Sequence, residues 1–153
     1  MAVLIDSSVF IALERRGAGP DDVLTLVPDE PVALAAVSAS ELLFGVERAD
    51  TPQRRARRER FVEAMLALIP VLPFGTAEAR VHARVWAGLA ASGLVIGAHD
   101  LLIAATALVH GYDVLTDNVR EFGRVPGLGR ASASVAQLIA PDLHPCLVGT
   151  AIS

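Results

Sequence analysis

The sequence contains no lysine: all 13 of its basic side chains are arginines. It has a single cysteine, Cys146, which cannot form an internal disulfide and points to a reducing compartment. No run approaches the ~18 consecutive apolar residues that a spanning helix requires, so a membrane protein is not expected. The N-terminus reads Met-Ala-Val-Leu-Ile-Asp, with no basic region and an acid at position 6, which is not the pattern of a secretory signal. A cytoplasmic protein is expected. Excess positive charge is also lacking. The net charge of −4 argues against binding to nucleic acid through bulk electrostatics. It leaves room for a nuclease, because acids that hold a metal ion count as negative only while the ion is ignored.

What is present is a large apolar fraction. Hydrophobic residues make up 53% of the 153-residue chain, enough for the core of one compact domain and too many for a disordered one. Short apolar runs alternate with amphipathic segments. Strands are expected at 2–5, 31–37, 69–74 and 112–115, with a fifth edge strand at 124–128. Helices are expected at 8–15, 21–27, 38–49, 52–68, 76–91 and 99–110, the last closed by Gly111, with a further one at 132–140. Strands separated by helices predict an α/β fold, a mainly parallel sheet covered on both faces.

Four acids fall at related places in this pattern. Asp6 ends the first strand, Glu41 opens the helix after the second, Asp100 opens the apolar helix and Asp117 follows the fourth strand. Loops at the carboxyl ends of parallel strands line the crevice of such a sheet. Each acid has a plain structural alternative. Ser38-Ala39-Ser40-Glu41 has the form of a capping box, Asp100 suits a helix dipole, and Asp6 and Asp117-Asn118 suit turns or caps. Together they resist that account, because converging carboxylates repel one another unless a cation offsets the charge. Mg²⁺ or Mn²⁺ prefers such oxygen ligands. Such an ion lowers the pKa of a bound water and stabilises charge on a phosphodiester, while a spare carboxylate serves as general base.

Four segments carry a family resemblance: Leu4-Ile5-Asp6-Ser7-Ser8-Val9, Ser38-Ala39-Ser40-Glu41-Leu42, His99-Asp100-Leu101-Leu102-Ile103-Ala104-Ala105-Thr106-Ala107, and Leu115-Thr116-Asp117-Asn118-Val119-Arg120-Glu121-Phe122. In order and spacing they resemble the motifs of PIN-domain proteins, and within these the VapC-type toxins of bacterial toxin–antitoxin pairs. The resemblance covers about residues 2–130, giving a PIN domain at 1–130 and a tail of unassigned role at 131–153. It implies a three-layer sandwich around a five-stranded parallel sheet. It also implies a Mg²⁺- or Mn²⁺-dependent endoribonuclease, a homodimer, a cognate antitoxin, and an RNA substrate with transfer RNA among the candidates. Asp6, Glu41 and Asp100 match the family's metal-binding acids. Ser8 matches a small polar residue supporting the first aspartate, and Thr116 a hydroxyl near the metal. Many relatives place the fourth acid where this chain has Asn118. Asp117 is taken as that acid here, with Asn118 and Glu121 as the alternatives.

Other features fit more ordinary roles. The basic run at 54–60 reads as a solvated helix face or as a phosphate-contacting patch. Phe44 and Trp86 read as core or dimer-packing residues, and His99 as a cap or surface residue. His82, His110 and His144 lack zinc-ligand spacing. A phosphoryl-transfer enzyme or receiver module on a similar sheet would be expected to use a lysine, and the chain has none. A silent PIN-fold interaction module and a DNA-directed PIN nuclease stay open, since nothing in the sequence separates RNA from DNA.

Overall fold

The computed structural model describes residues 2–19, 21–129 and 131–132. The elements run β1 (Val3–Ile5), α1 (Ser7–Arg15), α2 (Asp21–Leu26), β2 (Val32–Ala35), α3 (Ala36–Glu47) and α4 (Pro52–Leu68). They continue with β3 (Val71–Leu72), α5 (Thr76–Ala91), α6 (Ala98–His110), β4 (Asp113–Leu115), α7 (Val119–Phe122) and β5 (Ala131–Ser132). The strands form one five-stranded sheet in the order β3-β2-β1-β4-β5, and every pairing is parallel.

Side-chain alternation along these short strands builds two cores. Val3, Ile5, Leu34 and Leu115 point to one face, against Phe10, Leu13, Val46 and Met65 from α1, α3 and α4. Leu4, Ala33, Ala35 and Val114 point to the other, against Ile103, Ala104 and Ala107 of α6 and Phe122 of α7. The result is the three-layer sandwich expected from the sequence. Phe10 is fully buried in the first core, and burial of a side chain of this size contributes about 1.5–3 kcal/mol.

Local chemistry sets the element ends. Thr51 accepts the backbone N–H of Arg54 (3.2 Å) and Pro52 occupies the first turn, so α4 starts where its cap dictates. Gly111 takes φ 66°, a left-handed conformation that ends α6 without a Cβ penalty.

Three expectations are corrected. The fifth strand is Ala131–Ser132, paired to β4, and residues 124–128 form a turn rather than an edge strand. The helix α7 takes up Val119–Phe122, where no element was expected. The helix α3 begins at Ala36 with Ala35 at its N-cap, two residues before Ser38. Ser38 is therefore inside the helix, fully buried, and its hydroxyl has no hydrogen-bond partner among the described residues. Most of the helix expected at 132–140 lies outside the described residues.

Sheet order positions the site. The chain lays β2 and β3 to one side of β1 and then crosses back to lay β4 and β5 on the other, so a crevice opens at the carboxyl ends of β1 and β4. The helix α6 leads directly into β4. A helix feeding a parallel strand runs against it, which brings the first turn of α6 to the same rim.

Candidate active site

Asp6 follows β1, and its backbone N–H donates to the Leu115 carbonyl (2.9 Å). This bond fixes the carboxyl ends of β1 and β4 side by side. The Asp6 side chain is only 4% exposed, so its charge needs donors. Ser8 Oγ (2.6 Å) and Thr116 Oγ1 (2.9 Å) both donate to Asp6 Oδ2. Those hydroxyls in turn accept backbone N–H groups, Ser8 from Asp117 (3.1 Å) and Thr116 from Asn118 (2.9 Å). Asp6 sits at the N-cap position of α1 but makes no side-chain cap bond. Its carboxylate is held for the crevice rather than for the helix.

Asp100 stands in the first turn of α6, where Asn118 Nδ2 donates to its Oδ2 (2.8 Å). Glu121, on α7, accepts the Gly97 N–H (2.9 Å). The Asp100 and Glu121 carboxyls lie close together, and the charge on Glu121 disfavours ionisation of Asp100. Both converge on Gly97, where a Cβ would stand 3.4 Å from Asp100 Oδ2 and 3.5 Å from Glu121 Oε2. Burial raises the Asp100 pKa first, and the charge on Asp6 adds to it; together with Glu121 they outweigh the Asn118 hydrogen bond and bring it to about 6. The Gly97 N–H holds the Glu121 carboxyl below its usual range.

Glu41 lies in the second turn of α3, so the capping-box alternative for it does not hold. Its Oε2 accepts Ser7 Oγ (2.6 Å), and its Oε1 lies 2.8 Å from His99 Nδ1. Ser7 and His99 adjoin Asp6 and Asp100 in the chain, so Glu41 is tied to the neighbours of both aspartates.

The residues singled out in the sequence separate as follows. Asp6, Ser8, Thr116, Asn118 and Asp100 form one connected network, and Glu41 joins its edge through Ser7 and His99. Asp117 is exposed, and its backbone N–H serves the network through Ser8. Of the three alternatives for a fourth acid, Glu121 is the one whose carboxyl reaches Asp100. Sequence reasoning missed the roles of Ser7 and His99, and their only sequence signal is adjacency to the two aspartates.

Among the described residues, no three acids or histidines are drawn into a ready-made ion cage. The donor set nonetheless fits a hard divalent cation: carboxylate oxygens, with Asn118 and hydroxyls behind them. Burial and the Asp6 and Glu121 charges raise the Asp100 pKa, a shift that a bound cation would oppose.

The comparisons bear on the family and the fold. The family model described as PIN domain matches residues 3–128. Ribonuclease VapC1 of Rickettsia felis is 38% identical over 128 residues, covering 84% of this chain and 93% of its own length. The tRNA(fMet)-specific endonuclease VapC of Salmonella typhimurium is 32% identical over 97 residues, covering 63% of this chain and 71% of its own. Among solved structures, VapBC-5 of Mycobacterium tuberculosis, a member of the VapBC family of toxin-antitoxin systems, superimposes with TM-score 0.66 at 34% identity. That match covers 88% of this chain and 97% of the other. A family match across nearly the whole described region, on a parallel sheet with acids gathered at its switch point, means that the chain belongs to the PIN domain family and is of the VapC type.

Proposed function

We propose that this protein is a Mg²⁺- or Mn²⁺-dependent endoribonuclease, the toxin of a toxin–antitoxin pair. The observation that carries the reading is the Asp6–Asp100–Glu121 group at the switch point. Burial and mutual repulsion there raise the Asp100 pKa, a cost that a bound cation would offset. Relatives named as ribonucleases support the reaction class.

In this reading Asp6 and Asp100 hold the ion, Glu41 completes its surroundings from α3, and Glu121 rather than Asp117 is the fourth acid. When bound, the ion supplies Lewis-acid stabilisation of the phosphodiester and a more acidic water. The rest of the chemistry belongs to the protein. Ser8 and Thr116 orient the Asp6 carboxyl by donating to Oδ2. Asn118 fixes Asp100. The Glu121 carboxyl, held below its usual range by the Gly97 N–H, is the carboxylate that can accept a proton from the attacking water.

The domain spans 1–130 in this proposal, and the substrate is RNA, with transfer RNA among the candidates. The partner is a small antitoxin, as in the VapBC structures. A second copy of the chain is placed on the face of α5 and the loop after it, where Trp86 is 62% and Val95 77% exposed. Trp86 and Phe44 are thus not core residues. Among the described residues, no helix is long and apolar enough to cross a membrane.

The test is cleavage of RNA by purified protein with Mg²⁺ or Mn²⁺. Asp6→Asn is expected to abolish it, and full activity in that variant would sink the mechanism. Expression of the active chain alone is expected to arrest growth, with rescue by the protein encoded beside it. Unimpaired growth would remove the toxin assignment and leave the nuclease.

A further inference from the structure

A groove of about 1050 Å³ runs from Ser7, Glu41 and His99 between α1, α3 and α4. Four arginines line it: Arg15 from α1, Arg48 just past α3, and Arg57 and Arg58 from α4. Arg58 is committed, bonded to Glu14 (3.3 Å) and to the Gly45 carbonyl (3.0 Å). Its neighbours on the basic run, Arg54 and Arg55, are paired with Asp50 and Glu47. Arg15, Arg48 and Arg57 differ: each is exposed and lacks a carboxylate partner among the described residues. Three unneutralised cations along one groove are a specific feature in a chain whose net charge is −4.

The groove also carries an aromatic. Phe44 is 60% exposed, one helical turn beyond Glu41 on α3. The Arg48 guanidinium lies 5.5 Å from its ring centroid. An exposed ring steadied by an arginine is the kind of platform on which a nucleobase stacks, while free arginines take the adjoining phosphates. The acidic end of the groove repels a polyanion unless a cation is present. The arginine-lined stretch attracts one at all times.

We propose that this groove is the track of a single RNA strand leading to the acidic site, with a base on Phe44 and phosphates on Arg15, Arg48 and Arg57. The proposal rests on the ribonuclease reading and adds the path of the substrate. It also divides the basic run: Arg57 serves RNA, whereas Arg54, Arg55 and Arg58 serve the fold.

The experiment measures binding of a labelled single-stranded RNA to the full chain carrying Asp6→Asn, by fluorescence anisotropy across a salt series. Each lost phosphate contact lowers the slope of log K against log salt by about 0.7. Arg15→Gln, Arg48→Gln and Arg57→Gln are each expected to weaken binding and flatten the slope by about that amount. Phe44→Ala is expected to weaken binding about 5-fold or more with the slope unchanged, and Phe44→Trp to retain it. Circular dichroism checks folding, and the charge-reversing Arg57→Glu gives a second, larger perturbation at an exposed site. Unchanged affinity and slope in all the arginine variants would overturn the groove. So would intact RNA binding with loss of the co-expressed antitoxin, which would assign the groove to a protein segment. If the parent chain cuts no RNA, the ribonuclease reading fails first. If it cuts RNA and the variants bind normally, only the groove fails.

Discussion

His99 Nδ1 stands 2.8 Å from Glu41 Oε1, joining α6 to α3 at the mouth of the acidic site. With Ser7 on the other oxygen, both ends of the Glu41 carboxylate are fixed. Removing the imidazole frees one of them. If Glu41 serves the ion as proposed, His99→Ala is expected to lower kcat/KM about 10- to 100-fold, the usual cost of losing an outer partner of a metal ligand. His99→Asn, which keeps a donor near Nδ1, is expected to restore most of it. Equal losses in both variants would show that the ring does more than orient Glu41.

Thr116 is fully buried, accepts one hydrogen bond and donates another to Asp6. Thr116→Val keeps the shape, takes one of two hydroxyl donors from Asp6 Oδ2 and leaves the Asn118 N–H without its acceptor. A cost of about 1–3 kcal/mol in urea unfolding is expected, together with loss of RNA cleavage. A variant as stable and active as the parent would remove Thr116 from the site.

The Asp100 pKa predicts a pH-dependent stability in metal-free solution. The carboxyl titrates at about 6 in the folded chain against an ordinary 3.8. Between those values the folded state binds more protons than the unfolded one. Stability from this group is therefore full below about pH 4 and falls as pH rises towards 6 and above. Asp100→Asn is expected to raise Tm at pH 7.5, with the gain vanishing near pH 4. Mg²⁺ or Mn²⁺ is expected to raise Tm in the parent and not in the variant. Scanning calorimetry at the two pH values, with and without the ion, checks each arm, and a parent Tm unmoved by either ion at pH 7.5 counts against the metal site.

Trp86 projects from α5 within an apolar surface that includes Leu94 and Val95. Trp86→Arg is expected to convert a dimer to a monomer in light scattering. A dimer unaffected by the change would place the contact elsewhere.

Residues with strong local signals were legible in the sequence. The apolar runs around Leu4 and Leu34 and the Gly111 stop each depend on a few neighbouring residues, and the positions of their elements followed from them. The shorter elements were harder to read. The strand β5 is two residues long and α7 is four, too few for a period to register. The start of α3 was misplaced because Ser38-x-x-Glu41 has the form of a cap, while burial of Ser38 against the sheet overrode it.

Local sequence is enough to place Asp6 at the end of a strand and Asp100 in the first turn of an apolar helix, and to show that no lysine is available for phosphate chemistry. Which side chains meet is set by the packed fold. Glu121 rather than Asp117 reaches Asp100, and His99 reaches Glu41 across 58 residues of chain. Sequence spacing reports which face of its own helix or strand a residue occupies. Meeting across elements depends on sheet order and on where each helix axis lies, and these are set by packing of the whole core.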